Sequence, residues 1–265
     1  MNLTNRFCIT LLVFLLSANA AGQTCPVTKL MEISGINQQI EQMPEHINAS
    51  LTQTDGLPEE TRKQLSQAMT ESFATDKLKK TIHDYLLANL SETDLNTTLA
   101  WLESPLGQKI TRLEIENSDT EATQAMQQKL PELLNDTKRF SLMRDLDEAT
   151  NASQATIAMV LNIQKAMLLG MMAAAPDDER MNEADIDQLI ASIRPQIESQ
   201  YELLVIASMA YSYRSLSDAE IHQYIDFARS NAGQRYHQQV IKAMSKAMNE
   251  ASHAAGSRLG DILDN

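Results

Sequence analysis

Shifted by 126 residues, the chain aligns with itself. Tyr85, Leu90, Ser91, Ser104, Gly107 and Gln108 meet Tyr211, Leu216, Ser217, Ser230, Gly233 and Gln234, identical in every case. Conservative pairs lie between them: Glu92 with Asp218, Asp94 with Glu220, Leu95 with Ile221, Leu99 with Ile225, Trp101 with Phe227, and Lys109 with Arg235. A repeat this long lies outside the roughly 20 to 50 residues of stacked solenoid units, so it reads as two homologous units. These are placed at 27–139 and 140–265. Asn135-Asp136-Thr137 offers a break between them, although Leu133 to Leu146 also suits a connecting helix.

What the repeat keeps is helix punctuation. Ser91 followed by Asp94 has the spacing of a capping box, in which a hydroxyl accepts a bond from a helix-start amide and an acid three residues on returns one. Ser217 and Glu220 repeat it. Leu95, Leu99 and Leu102 follow as an apolar stripe. At Ser104-Pro105 the chain must turn, since proline disfavours helix for its predecessor yet suits the first position of a new helix capped by that serine. Gly107 stands in the new first turn, where the missing side chain lets the preceding helix approach and Trp101 pack against it. Ser230, Gly233 and Phe227 hold the same places in the second copy, with Asn231 where the first has Pro105. Each copy is expected to form a helical hairpin.

The pattern Leu90-Ser91-Glu92-x-Asp94-Leu95, then Trp101, then Ser104-Pro105-x-Gly107-Gln108-Lys109, resembles an exported bacterial family known as domain of unknown function 2059. Leu216 to Arg235 resembles a weaker second copy. The family usually has Phe-Tyr before the Ser-Pro, where this chain has Trp101-Leu102 and Phe227-Ala228. The resemblance implies a helical protein of the bacterial envelope and assigns no activity.

The wider composition agrees with helices. Glycine numbers only 8 and aromatics 5%, against 14 methionines and plentiful Ala, Leu, Gln and Glu. No period-two run of Val, Ile and Thr is bounded by turn residues. The fold class is therefore all-α, a duplicated helical-hairpin bundle. Leu30, Ile33, Ile36, Ile40 and Met43 predict one amphipathic helix closing at Pro44. Pro58 opens another with Glu59 and Glu60 in its first turn, and a third starts at Thr75 with Leu78, Ile82, Tyr85 and Leu86 inward. Ala158 to Ala175 is the most apolar stretch after the N-terminus and carries Met159, Met167, Met171 and Met172. Asn162, Gln164 and Lys165 interrupt it, so it reads as a core helix, not a membrane span.

The first twenty residues have the order of a secretion signal: Arg6, an apolar run from Phe7 to Leu16, and small residues leading to a cut between Ala20 and Ala21. The protein is thus expected to be periplasmic, with no stable membrane insertion after cleavage. With Arg6 removed, 21 basic residues face 35 acidic ones, and the formal charge moves from −13 to −14. Such a surface repels nucleic acid and anionic lipid. Cys8 leaves with the signal and Cys25 remains alone, away from the cut, so neither an internal disulfide nor a lipid anchor is expected.

Candidate chemistry is sparse. His46, His83, His222, His237 and His253 lack metal-ligand spacing, and neither His83-Asp84 nor Glu220-x-His222 shares a helix face. No nucleophile elbow, phosphate loop or dinucleotide fingerprint occurs. No catalytic, metal or cofactor-binding residue is assigned, no cofactor is expected, and the eleven hairpin positions Ser91, Asp94, Trp101, Ser104, Pro105, Gly107, Ser217, Glu220, Phe227, Ser230 and Gly233 read as structural. The sequons at Asn48, Asn89, Asn96, Asn135 and Asn151 read as caps and loops. The expected role is a protein-interaction or chaperone-like binding module with another envelope protein as partner. The alternatives are an enzyme using the acids of the hairpins and a metal-handling protein offering methionine thioethers to cuprous ion.

Overall fold

The structure, a computed structural model, describes residues 25–52, 59–175 and 180–263. The leader and the cut between Ala20 and Ala21 lie outside the described residues. Every regular element among them is a helix: α1 Pro26–Ile33, α2 Ile36–Thr52, α3 Glu59–Ser72, α4 Thr75–Asn89, α5 Glu92–Leu102, α6 Pro105–Glu116, α7 Thr120–Asn135, α8 Thr137–Thr150, α9 Ala152–Ala174, α10 Glu183–Ser212, α11 Asp218–Arg229 and α12 Asn231–Leu263. The fold is all-α.

The single helix expected from Leu30 to Pro44 is two. Ser34 and Gly35 end α1, with Gly35 at φ 79°, and α2 continues through Pro44. The apolar periodicity hides the break because Leu30, Met31, Ile36 and Ile40 from both helices enter one core. Proline inside α2 deletes one ladder bond without ending the helix. At Asn135-Asp136-Thr137 one helix ends and the next begins: Asp136 caps α8, its carboxylate accepting from the Arg139 N–H at 3.0 Å. Asn151, at φ 58°, joins α8 to α9 in a conformation that asparagine tolerates better than most residues.

The spine is α12, whose 33 residues extend about 50 Å. Ala243, Ala247, Ala251 and Ala255 recur every four residues and are at most 5% exposed. Their small side chains let α3, α4 and α5 close down on α12, and Leu30, Ile40, Ile82 and Leu86 of the same core are all essentially inaccessible. On another side α12 lies along α9, where a Cβ added to Gly256 would stand 2.0 Å from the Met167 carbonyl oxygen. A second core gathers Met143, Leu146, Ile206, Ile221 and Ile225, and Ile110 joins it from α6. Each of these two cores thus draws on residues from both halves of the chain.

The apolar stretch forms α9. By length and composition residues 152–173 suffice to cross a membrane, as no other helix among the described residues does, and 22% of that apolar window is buried. Instead of a core helix surrounded on all sides, α9 is a half-buried one between α10 and α12. Ile157 and Leu161 pack on Ile186 and Ile190. Lys165, halfway along, reaches Glu183 at 3.0 Å and Asp187 at 2.5 Å on α10.

Candidate functional site

The hairpins frame the site, and the expected caps form in both hairpins. Ser91 accepts from the Asp94 N–H at 3.1 Å and Ser217 from the Glu220 N–H at 3.3 Å. Only Ser217 completes a capping box, because Glu220 reaches back to accept from the Ser217 N–H at 2.8 Å. Asp94 is one methylene shorter and takes the Ser91 hydroxyl at 2.7 Å instead. Ser104 and Ser230 accept from the N–H groups of Gly107 and Gly233 at 3.0 and 3.1 Å, with Pro105 at the first position of α6.

Gly107 does not receive the Trp101 ring. A Cβ there would stand 2.1 Å from the Trp101 carbonyl oxygen, and one at Gly233 would stand 2.0 Å from that of Phe227. The glycines admit backbone, which frees the aromatic rings to meet each other: Trp101 and Phe227 stack with centroids 4.6 Å apart. Lys109 Nζ binds Glu220 Oε1 at 2.7 Å across the same contact. That ammonium, followed by the Ser217 backbone and hydroxyl, holds the Glu220 carboxyl at about 2. The matching pair in the other direction, Arg235 and Asp94, forms no ion pair among the described residues; both line a polar cleft of about 900 Å³.

Beside this contact, a cavity of about 350 Å³ opens between α2, α6, α8, α9, α10, α11 and α12. Leu146, Ala155, Met159, Met209, Val240 and Met244 give it apolar walls, and one end is polar. There Glu114 Oε1 accepts from Tyr213 at 2.6 Å and from Tyr224 at 3.3 Å. The two tyrosines meet edge to face, with centroids 6.0 Å apart. Tyr236 and His237 complete the polar end. The cavity and the polar cleft share Thr150, His237 and Ile241, so one abuts the other.

Burial governs the electrostatics here. Loss of solvation raises the Glu114 carboxyl above the usual carboxylate range, outweighing the two phenol donors that oppose it. The same burial, with Glu114 nearby, pushes the Tyr213 and Tyr224 hydroxyls well above the ordinary phenol value. His237 is pushed down by burial, opposed by its bond to Gly233. Its Nδ1 lies 2.7 Å from the Gly233 carbonyl oxygen, which can only accept, so Nδ1 carries the proton and Nε2 of the neutral ring is an acceptor. The arrangement is an apolar pocket ending in one half-buried acid, three phenols and a neutral imidazole.

None of the eleven hairpin residues read from the sequence lines this cavity, and Asp94 alone lines the polar cleft. The polar residues of the cavity stand where the two copies differ. Shifted by 126, Glu114 meets Val240, Ile110 meets Tyr236, Thr111 meets His237, Thr98 meets Tyr224, and Leu87 meets Tyr213. One signal for Glu114 was present: it lies seven residues after Gly107 and four after Ile110, on the inward face of α6, where an acid interrupts the apolar register.

An all-helical chain of this kind, with a polar-ended cavity opening between its helices, falls in the broad class of helical bundles. Residues 76–136 match the family described as "Uncharacterized protein conserved in bacteria (DUF2059)". The match runs from α4 through α7, less than a quarter of the chain, and so includes Glu114 but not Tyr213, Tyr224, Tyr236 or His237. No curated protein and no solved structure matches the chain.

Proposed function

We propose that this is an exported bacterial binding module, periplasmic once residues 1–20 are removed, that holds a small, largely apolar ligand non-covalently between two copies of one domain. The observation that carries the reading is the cavity: about 350 Å³, with thioether and aliphatic walls and its hydrogen-bonding groups gathered at one end. Pockets of this size and lining orient a ligand by its polar end and retain it by burial. The copies at 27–139 and 140–265 act together in this reading, since α6 brings the acid and α11 and α12 bring phenols and imidazole. The Lys165 ion pairs on α10 and the close α9–α12 contact at Gly256 support α9 as part of the folded body, not a membrane anchor. The acidic balance of the chain supports a partner other than nucleic acid or anionic lipid.

Titration with the uncharged fluorophore N-phenyl-1-naphthylamine tests this. A saturable, one-to-one rise in emission is expected, and Ala155→Phe, which fills the cavity, should abolish it while leaving helicity unchanged. Emission that never saturates, or that is the same in Ala155→Phe, would remove the cavity as a binding site.

A further inference from the structure

We propose that the cavity takes a small organic ammonium ion, with Glu114 as its counter-charge and the rings of Tyr213, Tyr224 and Tyr236 as its walls. This rests on the binding reading above and names the ligand class. Both phenol bonds fall on Glu114 Oε1, and Oε2 has no protein partner among the described residues. Among the described residues no Lys or Arg lines the cavity. The titratable groups that face Glu114 are Tyr213 at the end of α10, Tyr224 on α11, and Tyr236 and His237 on α12, and burial keeps all four uncharged near neutral pH. The one group here able to carry charge therefore lacks an opposite partner.

Head-group chemistry follows from that imbalance. An anionic head would meet a carboxyl and phenols with no cation to receive it. An alcohol would satisfy hydrogen bonds but leave the acid either unpaired or protonated. An ammonium head supplies the missing charge to Glu114 and is attracted to the faces of aromatic rings. Met159, Met209 and Met244 are flexible and polarisable enough to pack its alkyl groups. The formal charge of −13 also draws cations toward the protein and repels anions. Protons compete with the ligand for the carboxylate, so binding weakens as pH falls.

Isothermal titration calorimetry of the full chain with hexyltrimethylammonium, hexan-1-ol and hexanoate compares three heads on one tail. At about pH 8 the ammonium should bind about tenfold more tightly than the alcohol, and hexanoate should give no heat. The ammonium affinity should fall as pH is lowered while that of the alcohol stays level. Glu114→Gln should erase the preference and spare hexan-1-ol; Tyr236→Leu, which keeps the charge and removes one ring, should weaken the ammonium more than the alcohol. Hexan-1-ol or hexanoate binding as tightly as the ammonium, or a preference unchanged in both variants, would overturn the ammonium assignment. So would binding of N-phenyl-1-naphthylamine without the ammonium, which leaves the cavity reading standing. No binding by any of the four probes would overturn both.

Discussion

Trp101 and Phe227 stack with ring centroids 4.6 Å apart and planes within 8° of parallel, and they meet each other when the sequence is shifted by 126 residues. Trp101 is the protein's one tryptophan, so its emission reports this contact. Phe227→Ala is expected to shift that emission to longer wavelength and to cost about 2 kcal/mol, since a half-buried aromatic partner is lost. Urea unfolding followed by fluorescence gives both quantities. An unchanged emission maximum would show that the rings do not meet in solution.

Gly107→Ala and Gly233→Ala should each destabilise by more than about 2 kcal/mol, because the new methyl group falls on a backbone carbonyl that cannot rotate away. The second copy lacks proline at the start of α12, yet Ser230 before it is extended at φ −66° and ψ 158°, which proline requires of its predecessor. Asn231→Pro is therefore expected to add about 0.5 kcal/mol. Thermal melts of the three variants test both halves of this. Alanine tolerated at either glycine would refute the close approach there.

Glu220 links the caps to acid stability. Its folded value of about 2 lies below the ordinary 4.5, so it contributes stability above 4.5 that is lost as pH falls through that window toward 2. Glu220→Gln should accordingly show a shallower loss of melting temperature between these two pH values than the unaltered protein. Ser217→Ala removes the cap itself and should cost about 1 kcal/mol at neutral pH.

Glu114 carries the opposite sign. Burial raises its carboxyl, so the fold favours the protonated form; its contribution is complete below 4.5 and is lost as pH rises through the elevated folded value. Relative to Glu114→Gln, the unaltered protein should lose stability as pH rises above 4.5. Chemical denaturation of both proteins across that rise measures the difference. A constant gap would mean that the carboxyl sits in water.

Local chemistry was legible in the sequence. Ser91, Ser104, Ser217 and Ser230 announce helix starts because a cap joins residues three apart, and Gly107 with Gly233 announces tight hairpins for the same reason. The all-α class followed from these and from the 3.6-residue periodicity. Where a feature was local but quiet, it was missed: the turn at Ser34-Gly35 interrupts the chain without interrupting the apolar pattern.

The site was decided elsewhere. Glu114 meets Tyr213 across 99 positions and Tyr224 across 110, and no periodicity within one helix encodes such a meeting. Residues identical across the 126-residue shift are those that cap and turn the hairpins. The cavity instead uses positions that differ across that shift, Glu114 against Val240 and Thr111 against His237. What the sequence by itself determined was the punctuation of its helices, because capping and amphipathic spacing act over a turn or less. Which polar residues would be drawn out of water, and so acquire unusual proton affinities, was decided by how α6, α10, α11 and α12 pack, because desolvation depends on everything that surrounds a group in space.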